Sequence, residues 1–304
     1  MPDLVFAVPG SLDTPTGGYV YDKRVIAEAR AAGVDVAVLD LGEGFPKPAD
    51  ATRAAATAAL ASIPAGVPVV VDGLALGVLP GAASTLARTN PLIALVHHPL
   101  ALETGLAPQE KTIFQASEQV ALSFAKAVIV TSAPTADTLV ADFGVARETI
   151  TIAEPGTEPA KAFSIGSGDD VIQLVSVGAI SKRKGYIALV TALAMIDEHK
   201  WRLTIVGDRT RDPEGYGMAM AEAVAHGLPV VGTAVGAVPS FVSKESGLLV
   251  EPGDIPGLAN ALRAIVTDHA MREGMAAMAR DRAKTLPRWA DTAAAIVAVA
   301  RRST

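Results

Sequence analysis

The sequence predicts an α/β protein of two units, each a parallel, doubly wound sheet with helices on both faces. Three observations carry this. Short apolar segments such as LVFAV at residues 4–8 and PLIALV at 91–96 alternate with longer stretches of helical spacing. The alternation halts at residues 154–170, a run with prolines, glycines and serines and few large apolar residues, and then resumes. The chain has 304 residues, enough for two domains of ordinary size, and is 50% hydrophobic, enough to bury a sizeable core.

The elements follow in order. Residues 4–9 read as a strand, 11–18 as a loop with two glycines, and 19–32 as a helix. Strands follow at 34–41, 67–72, 92–96 and 127–131, with an Ala-rich helix at 51–63 and a long helix at 109–126. A helix at 135–143 ends at Gly144, and 150–153 closes the first unit. Beyond the linker come strand 171–177, helix 186–199 and strand 201–206. Strands 229–232 and 247–250 follow, then helices 256–267, 269–285 and 289–301. The domain limits are 1–158, 165–286 and a terminal helix in 287–304.

Bulk properties exclude several functions. No apolar run approaches the roughly 18–20 residues of a membrane span. MPDLVFAVPG has no basic segment ahead of its apolar run and reads as a first strand, not a leader. There is no cysteine, which removes disulfides and thiolate metal sites and fits the cytoplasm. A net charge of −6 and 4% aromatics argue against nucleic acid as a partner.

The stretch richest in chemistry is 214–231, EGYGMAMAEAVAHGLPVV. Gly215 and Gly217 permit unusual backbone geometry and close approach of a ligand. The helix from Met218 to His226 starts with free N–H groups that attract an anion. Glu214 sits on the loop and Glu222 about two turns into the helix, so they can address different ends of one ligand. The bland alternative is a helix start with an acidic residue near its positive end.

This string closely resembles the signature of retaining glycosyltransferases of family 4, Glu, seven residues, Glu, embedded in GYG…AEA.A.G.PVV. The resemblance runs over nearly the whole chain. It implies two Rossmann-like domains facing across a cleft (the GT-B fold), with the last helix crossing back to the first domain. It implies a nucleotide-diphosphate sugar as donor, held mainly on the second domain. The acceptor would be a sugar, lipid or small molecule on the first, with peripheral membrane contact if it is a lipid. No cofactor or metal is required. Glu214 would hold a sugar hydroxyl, Tyr216 would lie in the donor loop, and Glu222 would accept from the ribose. One departure stands out: DRTRDP leads from the strand at 201–206 straight into Glu214. By the size of such units, on the order of 40–50 residues are absent near Asp212–Glu214.

The remaining sites follow the same logic. Thr16-Gly17-Gly18-Tyr19 opens a helix and can present N–H groups to phosphate, the alternative being a simple turn. SKRKG at 181–185 lies just beyond a strand's carboxyl end, where doubly wound folds place ligands, although such runs are usually solvated. The resemblance assigns the donor's diphosphate to Lys184, with Arg183 beside it. Ala179 stands where many relatives carry arginine. His97-His98 ends the strand at 92–96, with no third metal ligand at a convincing spacing. The resemblance puts His97 against the donor sugar, His98 being the reserve. Asp72 ends another strand and is either a helix cap or an acceptor contact. Gly236-Ala237-Val238-Pro239-Ser240 reads as a loop. The activity implied is retaining hexosyl transfer. The alternatives are a catalytically impaired binder of the same fold, a nicotinamide dehydrogenase disfavoured by the missing GxGxxG, and a phosphorylase.

Overall fold

The structure is a computed structural model and describes residues 1–14, 16–103, 105–163, 171–180, 184–197, 201–207 and 217–304. The chain divides into two compact units, residues 1–156 with 287–304, and residues 157–286.

The first unit is a six-stranded, all-parallel sheet in the order β2-β1-β3-β4-β5-β6. Its strands are β1 (Leu4–Val8), β2 (Val36–Asp40), β3 (Val69–Asp72), β4 (Leu92–Val96), β5 (Ala127–Val130) and β6 (Ile150–Ile152). Val5 pairs Val69, Val71 pairs Ala94, and Ala94 pairs Val128. β1, β3, β4 and β5 are buried along their whole length, which is why their sequences are continuous apolar runs and not alternating ones. The helices are α1 (Gly17–Ala31), α2 (Asp50–Ala61), α3 (Gly73–Leu76), α4 (Pro80–Leu86), α5 (Pro108–Ser123), α6 (Ala133–Phe143) and the terminal α12 (Trp289–Ser303). Ser132 caps the start of α6, and Gly144, at φ 70°, lets the chain leave it in the left-handed region.

The chain leaves β1 toward β2 and leaves β3 toward β4, in opposite directions. The strand order therefore reverses between β1 and β3, and loops diverging there open a crevice at the carboxyl ends of the strands. α3 and α4 were not expected from sequence. They are short and interrupted by Gly77 and Pro80, so they carry too few turns for a visible period.

α12 packs along α1 and belongs to the first unit. Trp289, 6% exposed, sits edge-on to Tyr21 with ring centroids 5.8 Å apart. A side chain at Gly156 would collide with the backbone of Trp289, its Cβ falling 2.1 Å from the amide nitrogen. The Thr292 hydroxyl donates to the Glu154 carbonyl at 2.7 Å, and Arg302 donates to Thr151 at 2.5 Å.

The second unit contains β7 (Ile172–Val177), α7 (Tyr186–Leu193), β8 (Trp201–Val206), α8 (Met218–Ala225) and β9 (Val230–Thr233). These lead to α9 (Val238–Phe241), β10 (Gly247–Val250), α10 (Ile255–Thr267) and α11 (His269–Ala283). All described strands are parallel, but they form two pairs, β7-β8 and β9-β10, and among the described residues no ladder joins them. Ala192, Leu193, Ile196, Ala259 and Leu262 form one core, against which Leu174 and Leu203 pack. Ala221, Val224, Val230 and Phe241 belong to the other. β7 and β8 each bury one face only: Val175 is 59% exposed, and Val177 and Val206 are exposed beside it. The absent segment expected near Asp212–Glu214 falls on residues outside those described. Residues 236–240 are a correction: α9 begins at Val238, with Pro239 in its first turn, where proline is well placed.

Two predictions follow from this packing. Trp289→Ala removes the side chain that ties α12 to Tyr21 and is expected to cost about 3–5 kcal/mol in urea denaturation of the first unit. A loss under about 1 kcal/mol would show that α12 is not part of its core. Glu118 on α5 is 1% exposed, accepts from the Leu100 amide at 2.9 Å, and has a second oxygen without a partner. Burial pushes its carboxyl up to about 8. A raised carboxyl loses folded-state stability as pH climbs from its ordinary value of 4.5 through about 8. Glu118→Gln cannot ionise, so its denaturation midpoint should gain on the parent protein between pH 6 and pH 9. Parallel pH curves for the two proteins would refute that ionisation.

Candidate functional site

The crevice at the strand reversal is furnished by α1, β3 and β4. Thr16 caps α1, its hydroxyl accepting from the Tyr19 amide at 3.5 Å. Gly17 and Gly18 are the first two residues of the helix, and neither has a positive φ. The loop expected through residue 18 is thus a helix N-terminus, whose first amides precede the first intrahelical hydrogen bond. Gly18 serves a packing purpose as well: a Cβ there would stand 3.4 Å from His97 Cδ2, so the position admits a methyl group at most. The Tyr19 hydroxyl donates to the Pro9 carbonyl and ties α1 to the end of β1. Burial and the nearby carboxylates of Asp72 and Asp22 push that hydroxyl up to about 12.

Asp72 is a helix cap, one of the two roles open to it, and it also approaches His97. It caps α3, Oδ1 accepting from the Leu74 amide at 2.7 Å, while Oδ2 lies 3.5 Å from His97 Nε2. Gly73 follows because a Cβ there would stand 2.9 Å from the Leu95 carbonyl oxygen. His97 leaves the end of β4, its carbonyl accepting from the Thr131 hydroxyl at 3.3 Å. Its ring stands edge-on to Tyr21 at 5.0 Å, and Tyr21 donates to the Ala153 carbonyl at 2.8 Å. Trp289, Tyr21 and His97 therefore form an aromatic row that carries the support of α12 to the site.

The sequence reading missed Asp22. It is wholly buried on α1, and its Oδ1 lies 3.2 Å from His97 Nε2. The ligand atoms of Asp22, Asp72 and His97 all lie within 4.8 Å of one another. The search for a partner near His97-His98 in sequence found none because the partners come from two other elements. One signal was available: Asp22 is in helical register with Val25, Ile26 and Ala29, on the face that α1 buries.

The electrostatics of the triad are strongly perturbed. Burial pulls the His97 imidazole down, but the hydrogen bonds and charges of Asp22 and Asp72 outweigh it and lift it to about 10. Burial, then the neighbouring Asp72 charge, raise Asp22 to about 7. A buried imidazolium beside one ionised carboxylate and one protonated carboxyl is close to neutral, which is the form a buried site can hold. Asp22 Oδ2 is buried without a hydrogen-bond partner.

The second unit places Lys184 against the end of β7. Its Cε would lie 3.3 Å from a Cβ on Gly178, and Tyr186 donates to the Gly178 carbonyl at 2.8 Å. A Cβ on Gly207 would fall 1.8 Å from the Gly178 carbonyl oxygen, so the carboxyl ends of β7 and β8 meet without room for a side chain. Gly217 caps α8 at φ 82°, with α9 against it. Glu222 is exposed on α8, and the neighbouring His226 ring nitrogen sits 2.8 Å from its carbonyl oxygen. Glu214, Arg183, Gly215 and Tyr216 lie outside the described residues. His98 is half-buried beside His97.

Residues 209–268, a fifth of the chain, match the family model for glycosyl transferases group 1. Over its whole length the chain is similar to sucrose-phosphate synthase from Thermosynechococcus elongatus, with a TM-score of 0.75 at 17% identity and 98% of both chains covered. It is also similar to Anabaena HepE solved with UDP-glucose, with a TM-score of 0.68 at 17% identity, covering 99% of this chain and all of that one. The chain has the GT-B fold. Local likeness in sequence points the same way. Over 91 residues the chain is 42% identical to D-inositol 3-phosphate glycosyltransferase of a Nocardioides species. Over 126 residues it is 26% identical to N-acetyl-alpha-D-glucosaminyl L-malate synthase of Bacillus anthracis. The chain spans 20% and 32% of the length of these two relatives. No described helix of this GT-B chain is long and apolar enough to cross a membrane.

His97→Ala would leave two buried carboxyls without their cation. The expected cost at pH 8 is about 3–5 kcal/mol in chemical denaturation. The cost should be largest near pH 5 and shrink as pH rises toward 10. The sign follows from the upward shifts: His97's own contribution is full below about 6.5 and is lost as pH rises toward 10. A variant as stable as the parent at pH 8 would mean the triad is not buried and charged.

Proposed function

We propose that the protein is a retaining glycosyltransferase that moves a sugar from a nucleotide-diphosphate sugar to an acceptor hydroxyl. The observation that carries this is the match of residues 209–268 to glycosyl transferases group 1 within a chain of GT-B fold. The string EGYGMAMAEA at 214–223 supports it by resemblance, since its Glu-seven-Glu spacing is that of the retaining family 4.

Each residue then has a task. The bond between the anomeric carbon and the diphosphate oxygen breaks, and a bond from the acceptor oxygen forms on the same face. The acceptor's proton leaves with the nucleoside diphosphate. Negative charge grows on the departing phosphate, so cations and N–H donors aimed at it accelerate the step. Lys184 and Arg183 supply the cations, and the amides at Gly17 and Gly18 and at the start of α8 supply donors. Glu214 binds a sugar hydroxyl and steadies the ring, Glu222 accepts from the ribose, and His97 donates to the sugar. Asp72 contributes to acceptor binding, with His98 beside it. The reaction so written uses no metal. HepE was solved with UDP and with UDP-glucose, which makes uridine donors the first to try here.

A second reading, a nucleotide-sugar binder without turnover, rests on Ala179, which stands where many relatives carry arginine. One experiment separates them. The protein is incubated with UDP-, GDP- and ADP-sugars, and both thermal shift and release of nucleoside diphosphate are followed. Stabilisation with turnover, an anomeric product of unchanged configuration by NMR, and a roughly 10²–10³-fold loss of kcat in Glu214→Gln or Lys184→Ala are expected. Stabilisation without turnover would leave the binder. An inverted product would end the retaining assignment.

A further inference from the structure

The two carboxylates around His97 constrain what that ring can do, and this inference rests on the transferase reading above. Nε2 lies between Asp22 Oδ1 at 3.2 Å and Asp72 Oδ2 at 3.5 Å. The Gly18 position and the edge of Tyr21 close two further sides. No described residue hydrogen-bonds Nδ1, and about 20% of the side chain stays exposed. We propose that Asp22 is a positioning residue which, together with Asp72, clamps His97 as an imidazolium, so that the ring acts on its ligand only as a hydrogen-bond donor through Nδ1 and never as a proton acceptor. With both nitrogens protonated the ring has no lone pair to offer. The ligand atom it meets is therefore an acceptor: a sugar hydroxyl oxygen or a phosphate oxygen.

The geometry supports a clamp over the alternatives. A histidine with one carboxylate partner is oriented and still free to exchange its other proton, as in a general base. Here two carboxylates address the same nitrogen, from α1 and from the end of β3, so neither can serve as a relay without unbalancing the other. The groups facing the ring are Asp22 and Tyr21 from α1, Asp72 from β3, and Thr131, just beyond β5, at the backbone, with Tyr19 near the same two carboxyls. Both tyrosine hydroxyls are pushed upward, so between pH 6 and pH 9 it is the Asp22 carboxyl that changes the ring's surroundings. Burial of Asp22 makes the clamp rigid, because the carboxyl has no water to turn toward.

The test is NMR titration of the histidine rings in the full chain, with His97 identified by the signals lost in His97→Gln. The His97 ring of the parent protein should stay an imidazolium from pH 6 to pH 9. Asp22→Asn should lower the His97 midpoint by at least about one pH unit and move the alkaline limb of the pH–kcat profile down with it. kcat at pH 8 should fall at least about tenfold, with little change in the donor's KM. A merely structural aspartate would lower the yield or the melting temperature without moving either midpoint. Asp72→Asn provides a second variant if Asp22→Asn does not fold, and the titration of the parent protein needs no variant. A His97 midpoint near 6.5 in the parent would overturn the clamp. So would Zn²⁺ or Mn²⁺ bound stoichiometrically with loss of the His97 signal, since the three groups would then be ligands. Absence of transfer with every donor, with the titration as expected, would sink the transferase reading and leave the clamp standing.

Discussion

A parallel sheet has to be covered on both faces, and most of this structure follows from that constraint. In the first unit β1, β3, β4 and β5 have no solvent face, so helices must lie on either side. The helix along α1 is α12, contributed by the last residues of the chain, and Trp289 and Ile296 complete the cover. The same constraint sends each chain exit to the carboxyl ends of the strands. Asp72 and His97 stand at two such ends, and α1 starts at a third.

The second unit meets the constraint only in part. Its strands are parallel and apolar, yet β7 and β8 show one face, with valines on it. Exposed apolar sheet surface is costly and normally covered. The connection between β8 and α8, residues 207–217, is short for a chain that would have to supply another strand and helix. The local glycine geometry is nonetheless retained: Gly178 and Gly207 close the carboxyl ends of β7 and β8, and Gly217 opens α8. The glycine turns at the ends of these elements are thus kept although, among the described residues, no ladder joins the two strand pairs.

Inside the first unit, electrostatics decide what burial permits. Two carboxyls and one imidazole are held together where an isolated charge would be expensive. Their mutual shifts bring the group near neutrality and tie its protonation to the packing of Tyr21 and Trp289. Glu118 has no cation at hand and is held neutral by burial up to about pH 8. The contrast between the two sites lies in the partner: a histidine within reach keeps charge in the core, and its absence expels it.

The sequence by itself determined the class of fold, the strand and helix order, and the string at 214–231 whose resemblance to a known family points to glycosyl transfer. Such features are local: apolar runs, capping residues and glycines act on their own neighbours. It also singled out His97, through the family resemblance, and Asp72, at the end of another apolar strand. Short helices α3, α4 and α9 escaped it, having too few turns to show a period. Only the tertiary structure revealed the role of Asp22. A charged residue on a buried helical face reads as an anomaly until its partners are known, and these are 50 and 75 residues away in sequence. The protonation of His97 was likewise decided by the fold, since it depends on distances between α1, β3 and β4 that no local pattern encodes.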